Sequence, residues 1–292
     1  MCIRDRINSN LRGEVKNSDL TISKIRGTIA LKTESTDSEL DNMSGDINLS
    51  TRGGNISTNK LSGNLELAVI SGDINIFDCN ANAITTIDNG NILINGMKGN
   101  LKSNTTLGES LITNFEGENC VFNINVGNLK VNECNSNLNA NIDIGSISIN
   151  NLQGSVSLFT GKGEINLNNI IGGVNCNTNF GNVNGSNLFG RVNANSELGD
   201  IVINKGYNSF LNDHSINLIT QRGSITIRLP SELPYAINSQ CNNLETRSAI
   251  SSEIPLEEEF LAAKVIAQGK IKEGTISCNL SSNYGPISIY TN

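Results

Sequence analysis

Residues Ser44–Ile76 read SGDINLSTRGGNISTNKLSGNLELAVISGDINI, with glycines at 45, 54, 63 and 72. Gly45, Gly63 and Gly72 are each followed by Asp or Asn and then by apolar residues alternating with polar ones: Asp46-Ile47-Asn48-Leu49, Asn64-Leu65-Glu66-Leu67 and Asp73-Ile74-Asn75-Ile76. A period of two marks a strand with one buried and one wet face. The glycine ahead of it marks a turn through a conformation costly for a residue with a Cβ. A nine-residue unit encloses no core of its own, so it must stack on its neighbours.

Outward from this stretch the beat continues at Gly90, Gly99, Gly108 and Gly117, slips by one residue to Gly127, and resumes at Gly145, Gly154, Gly163, Gly172, Gly181, Gly190 and Gly199. Ala81 and Ser136 stand on the missed beats, and Gly27-Thr28-Ile29-Ala30-Leu31 is an earlier unit. Two kinds of unit alternate. One has an apolar residue two before its glycine: Ile25, Met43, Leu61, Met97, Phe115, Leu152, Ile170 and Leu188. The other carries Ser, Thr or Ala further upstream and a variable residue just before the glycine, as in Thr105-Thr106-Leu107-Gly108. The period is therefore eighteen residues, with two strands and two turns per coil. This predicts an all-β, single-stranded parallel β-helix or β-solenoid of roughly a dozen coils about 4.8 Å apart, wound right-handed by the crossover rule.

The pattern names the core and the turns. Ile47, Leu49, Leu65, Leu67, Ile74, Ile76, Ile92, Ile94, Ile147, Ile149, Ile165, Leu167, Ile201 and Ile203 are predicted to face inward. Gly45, Gly54, Gly63, Gly72, Gly90, Gly99, Gly145, Gly154, Gly163, Gly181, Gly190 and Gly199 are the structural repeat turns.

Residues 7–228 form the repeat array in this reading, and 229–292 form irregular coils and a cap continuous with it. Residues 1–6, MCIRDR, resemble translated sequencing-adapter sequence; they are set aside, with the natural start expected upstream. All four prolines, Pro230, Pro234, Pro255 and Pro286, come after the array, as expected if its strands pair on both edges. Pro286, in Gly285-Pro286-Ile287-Ser288-Ile289, reads as part of a terminal edge strand. Lys205–Ser215 breaks the rhythm and includes a protruding loop, in which the one histidine, His214, reads as a surface residue. Pro255–Ala267 (PLEEEFLAAKVIA) could form a short helix with proline in its first turn, as one alternative to irregular coil.

Composition narrows the function. Asparagine is about one residue in six, far above ordinary usage, and belongs in turns or on wet faces, where its amide can bond an Asn one coil away. A net charge of −7 leaves no electrostatic footprint for nucleic acid. Aromatics at 4% with no tryptophan argue against a sugar-stacking platform, which needs flat side chains. Seven cysteines show no CxxC pair and no metal spacing. Cys176 and Cys278 take a beat normally held by Ile or Leu and read as buried hydrophobes, whereas Cys79, Cys120, Cys134 and Cys241 have no obvious partners. No hydrophobic run reaches the length of a membrane span.

Two chemistries were weighed against this. Nonapeptide repeats can clasp calcium through GGxGxD turns, but only Asp46, Asp73 and Asp200 follow a glycine, so these are turn residues rather than a cage. Parallel β-helices also host polysaccharide-active enzymes, which need acid and base groups converging on a groove. The acids are scattered, and Glu257-Glu258-Glu259 reads as a solvated surface.

The repeated G-[DN]-I-x-I units, the segment ITIRLP (Ile225–Pro230) and the closing stretch Gly274–Ile289 resemble the toastrack-type bacterial adhesin repeat family, a β-solenoid domain of unknown function. The resemblance implies a place in the cell envelope or at the membrane, a role in adhesion or as an assembly platform, and no catalytic residues; the expected localisation is the cell envelope or extracellular space. The expected function is a non-enzymatic surface protein presenting a repetitive polar face to surface glycans or other envelope proteins, with no cofactor, no metal and no nucleic acid. The alternatives are an envelope scaffold or stress platform self-associating end to end, and a β-helix enzyme.

Overall fold

In the computed structural model the described residues are 2–8, 10–242, 249–261 and 264–292, with the backbone alone described for 2–8. Met1, the first residue of the adapter-like segment, lies outside them; Cys2–Asn8 form a strand paired in parallel with Leu20–Arg26. Every regular element among the described residues is a β-strand. The chain divides into two compact units, Met1–Ile144 and Gly145–Asn292, and each is a parallel β-solenoid with coils about eighteen residues long.

In the N-terminal unit one column of strands carries Ile29, Ile47, Leu65, Ala83 and Leu101 in register, each eighteen residues from the last. The next step, Leu101 to Cys120, is nineteen. The extra residue is taken up between Glu116 and Asn119, where the ladder shifts. This accounts for the slip from Gly108 to Gly127: a one-residue insertion survives as a bulge because inward and outward alternation resumes beyond it.

All fourteen predicted core residues are buried, none more than 3% exposed. The column two residues before alternate glycines (Ile25, Met43, Leu61, Met97, Phe115) is buried as well, and Cys79 and Cys134 prove to be its missing members. The glycines sit where coils touch most closely. A Cβ built on Gly163 falls against the carbonyl of Gly145, and one on Gly181 against that of Gly163. At Gly190 and Gly199 φ lies outside the left-handed region, so this contact alone demands glycine there.

The two glycine turns expected per coil are present, and a third, left-handed bend falls within a strand. Lys24, Asn42, Lys60, Asp78, Gly96, Asn114 and Glu133 form a left-handed column in the first unit, and Asn151, Asn169 and Asn187 one in the second. Asparagine enters this conformation at little cost, whereas Lys and Glu pay about 1–2 kcal/mol for it. Only one position in ten carries glycine, so the pattern of glycines could not reveal the column.

The residue after the turn glycine caps the next coil. Asn55 Oδ1 accepts the Asp73 amide at 2.8 Å, Asp73 Oδ1 the Asn91 amide at 2.7 Å, and Asp200 Oδ1 the Ser224 amide. Here the backbone N–H bonds a side chain one rung away instead of the main-chain ladder, which explains the Asp or Asn after Gly54, Gly72 and Gly199. In the C-terminal unit the inward hydroxyls of Thr160, Ser196, Thr220 and Ser282 donate to the carbonyls of Gly145, Gly181, Gly199 and Gly223. That is the physical content of the Ser or Thr three residues before the glycine.

The end of the C-terminal unit departs from expectation twice. The last coil is interleaved: Ile276–Ser282 lies between Ile216–Arg222 and Tyr235–Cys241, and Ile287–Thr291 between Ile225–Leu229 and Ile250–Ser252. The strand after Pro286 is thus an interior strand, not a terminal edge. Proline is accommodated because it takes the post-glycine position, whose N–H does not join the ladder; its carbonyl still accepts the Ile225 amide at 2.9 Å. The second departure is Pro255–Ala267, which is neither helix nor irregular coil but an antiparallel hairpin of Leu256–Leu261 with Lys264–Lys270; Ala262 and Ala263 lie outside the described residues. Tyr235–Cys241 would otherwise present a bare edge. Lys264–Lys270 pairs with it and buries Val265 and Ala267 with period two, a demand that outweighs local helix propensity.

Candidate binding face and the buried lysine loop

In the C-terminal unit, the outer face of the column Ile147–Gln153, Ile165–Ile171, Val183–Leu188, Ile201–Lys205, Ile225–Leu229 and Ile287–Thr291 forms an open groove of about 600 Å3. Strand alternation turns Asn150, Asn166, Asn168, Asn184, Asn204 and Arg228 outward into it. The amides ladder between rungs: Asn168 Nδ2 donates to Asn150 Oδ1 and Asn184 Nδ2 to Asn166 Oδ1, both at 2.9 Å. An amide has two donors and two acceptor lone pairs, so one bond to each neighbour fixes its rotamer and leaves hydrogen-bonding capacity for a ligand. Arg228 lies over the Tyr290 ring with Cζ 5.3 Å from the centroid, at the end of the groove. No Asp or Glu lines this groove.

The N-terminal unit has a groove of about 490 Å3 lined by Glu14, Lys16, Lys32, Glu34, Arg52 and Asp88 among others. One of its carboxylates is shared by two cations. Glu34 bridges Lys16 at 3.1 Å and Arg52 at 3.6 Å, and the Lys16 ammonium, then Arg52, lowers its carboxyl pKa. A carboxylate held ionised in this way is a poor proton donor. The three post-glycine aspartates are engaged in turns: Asp46 accepts from Asn64 Nδ2, while Asp73 and Asp200 accept backbone amides.

The loop 206–215 contains a polar cluster that the sequence reading placed wrongly. His214 is buried, not a surface residue, and its Nδ1 has no hydrogen-bond partner. Tyr235 Oη donates to its carbonyl at 3.2 Å, and the Tyr207 ring lies 5.7 Å from the imidazole. Beside it Lys205 occupies the core column that Leu188 holds one rung below. The only outward sign is a seventeen-residue step from Leu188, one short of the period. Lys205 Nζ donates to the carbonyls of Leu188 at 2.8 Å and Gly206 at 3.1 Å. Burial lowers its pKa to about 7, against the opposing pull of Asp213. Burial, then the Lys205 charge, lowers that of His214.

This predicts a pH effect. Between about 7 and the ordinary 10.5 the unfolded chain holds a proton on Lys205 that the folded chain lacks. Stability should therefore rise with pH through that window, with the burial penalty complete below it. Lys205→Met, similar in length and apolar, should stabilise the unit by about 1–4 kcal/mol near pH 6 and flatten the slope. Urea unfolding followed by circular dichroism from pH 6 to 10 reads this; parallel curves for variant and parent would refute it.

Cys79, Cys120, Cys134, Cys176, Cys241 and Cys278 are all buried free thiols. Burial pushes Cys134, Cys176 and Cys278 up to about 12 and raises Cys79 and Cys120. Thiols so disposed are poor nucleophiles. No group of three or more potential metal-ligating side chains occurs among the described residues. Among the described residues no helix is long and apolar enough to cross a membrane.

Fold and faces together define a parallel β-solenoid with asparagine ladders on its wet surfaces. No family model, curated protein or solved structure matches the chain.

Proposed function

We propose that this protein is a non-enzymatic surface protein of the cell envelope or extracellular space that binds extended glycans through the amide-lined face of its C-terminal unit, the adhesin role that the resemblance suggests. The observation carrying this reading is the groove itself: outward amides in register on successive rungs, their rotamers set by ladder bonds. Rungs repeat at about 4.8 Å, so a linear polymer meets the same polar groups again and again, and weak contacts add through avidity. Both edges of the interior strands are already paired, so a ligand on this face must be read by side chains, which suits hydroxyls better than a peptide backbone.

The charge arrangement of this groove supports a binding role over the enzyme alternative, since no carboxylate lines it. End-to-end assembly is disfavoured at the capped end. The outer hairpin strand Leu256–Leu261 exposes Glu257, Glu258 and Glu259, charges that repel a second copy.

The test is cosedimentation of the purified protein with insoluble cell-wall polysaccharides. The protein should pellet with them, and an Asn150→Ala/Asn168→Ala double variant should lose about tenfold in apparent affinity while its circular dichroism spectrum is unchanged. Failure to bind any glycan, together with concentration-dependent filament growth, would replace this reading by the scaffold.

A further inference from the structure

We infer that the groove of the C-terminal unit selects an acidic polysaccharide, with a sugar carboxylate seated on Arg228 beside the Tyr290 ring. This rests on the glycan-binding reading and narrows it to a substrate class. Three features carry it. Arg228 is the one side chain lining the groove that carries a charge. Its guanidinium lies over the Tyr290 ring with Cζ 5.3 Å from the centroid, and Nη1 donates to the Thr291 carbonyl at 3.4 Å. A guanidinium carries five N–H donors, so this one bond leaves others to meet a carboxylate in a two-pronged fork.

The neighbouring groups fit the rest of a sugar chain. Thr226 lies on the same strand as Arg228, Val202 and Asn204 one rung away, and the amide ladder beyond. Val202, 42% exposed, offers an apolar patch for the C–H face of a pyranose, and Asn204 offers an amide for its hydroxyls. From the rung of Asn150 to that of Tyr290 is five steps, or about 24 Å, enough for several linked sugars in extended form. One cation cannot hold a nucleic acid, whose affinity depends on neutralising many phosphates. The chain's net charge of −7 also opposes long-range capture of any polyanion. Recognition must therefore be short-range and only weakly salt-dependent, in contrast to binding on a basic patch.

Affinity electrophoresis through gels containing polygalacturonate, its methyl ester, a sulfated glucan or a neutral glucan tests this. The parent protein should be retarded most by polygalacturonate, with the ester about ten- to hundredfold weaker in apparent Kd, the range expected for losing a charge-assisted pair. Arg228→Gln, exposed and outside the core, should bring polygalacturonate down to the ester's level, a loss at least tenfold larger than any it causes with the neutral glucan. Arg228→Lys should recover only part of the preference, because it restores charge without the fork. Equal retardation by polygalacturonate and ester, or a preference surviving Arg228→Gln, would overturn the inference, as would stronger retardation by the sulfated glucan. Binding to the neutral glucan alone would overturn this assignment and leave the wider glycan reading standing. Retardation by none of the four would remove both.

Discussion

Ile74→Asp should unfold the coils around it, with a loss of at least about 4 kcal/mol, whereas Asn75→Asp, one residue away, should change stability by less than about 0.5 kcal/mol. Ile74 is fully buried between Ile56 on one rung and Ile92 on the next. A carboxylate there loses the apolar contacts of isoleucine and enters the core with no cationic partner, which is the costliest kind of single substitution. Asn75 points outward, and the bond that Thr58 Oγ1 makes to it goes to its main-chain carbonyl, which the substitution keeps. Each rung contacts chiefly its neighbours, so the damage should be local at first. Hydrogen exchange resolved along the chain should show protection lost across Ile56–Ser71, Ile74–Phe77 and Ile92–Lys98 in Ile74→Asp. Equal tolerance at residues 74 and 75 would contradict the assignment of inner and outer faces.

A second pair of neighbours isolates the close approach of coils. Gly172 has a φ of +154°, and a Cβ there falls against the carbonyl carbon and oxygen of Gly154. Gly173 lies outside the left-handed region, and its Cβ would meet only Ser155 Oγ at 3.6 Å, an ordinary contact. Gly172→Ala should therefore cost about 2–4 kcal/mol through backbone strain and displacement of the adjoining coil. Gly173→Ala should be neutral or stabilising by about 0.4–1 kcal/mol, because it removes freedom from the unfolded chain alone. Gly54 and Gly53 repeat the contrast, with the Thr36 carbonyl in the way of the first and nothing closer than 4.0 Å to the second. Thermal unfolding of the four alanine variants measures it. A similar shift for both members of a pair would mean that glycine serves only local turn geometry.

Much of the candidate face was legible because its amides repeat with the strands that carry them. Once Ile147, Ile149, Ile165 and Leu167 are assigned inward, Asn150, Asn166 and Asn168 must point outward on successive rungs. Arg228 and Tyr290 were not legible as partners, since 62 residues separate them and only the interleaved last coil sets Arg228 opposite Tyr290. The buried Lys205 was missed for a related reason. Nothing in its identity marks it as a core residue; the shift between Ser186 and Leu188 moves it into the column of Leu188. His214 follows from it, because the loop that returns the chain to Ile216 folds back over that column.

Taken alone, the order of residues determined that these segments are strands, which side chains turn inward, and that each unit stacks on the next eighteen residues on. That information is local and redundant: period-two alternation sets the face, and the same pattern restated many times sets the register. Tertiary structure alone decided the third, left-handed bend at Asn151 and its equivalents, the interior place of the strand after Pro286, and the hairpin in place of helix or coil. In each of these the outcome depends on which backbone edge or coil surface needs a partner. That requirement comes from chain brought together in space, so it leaves no mark on the neighbouring residues in sequence.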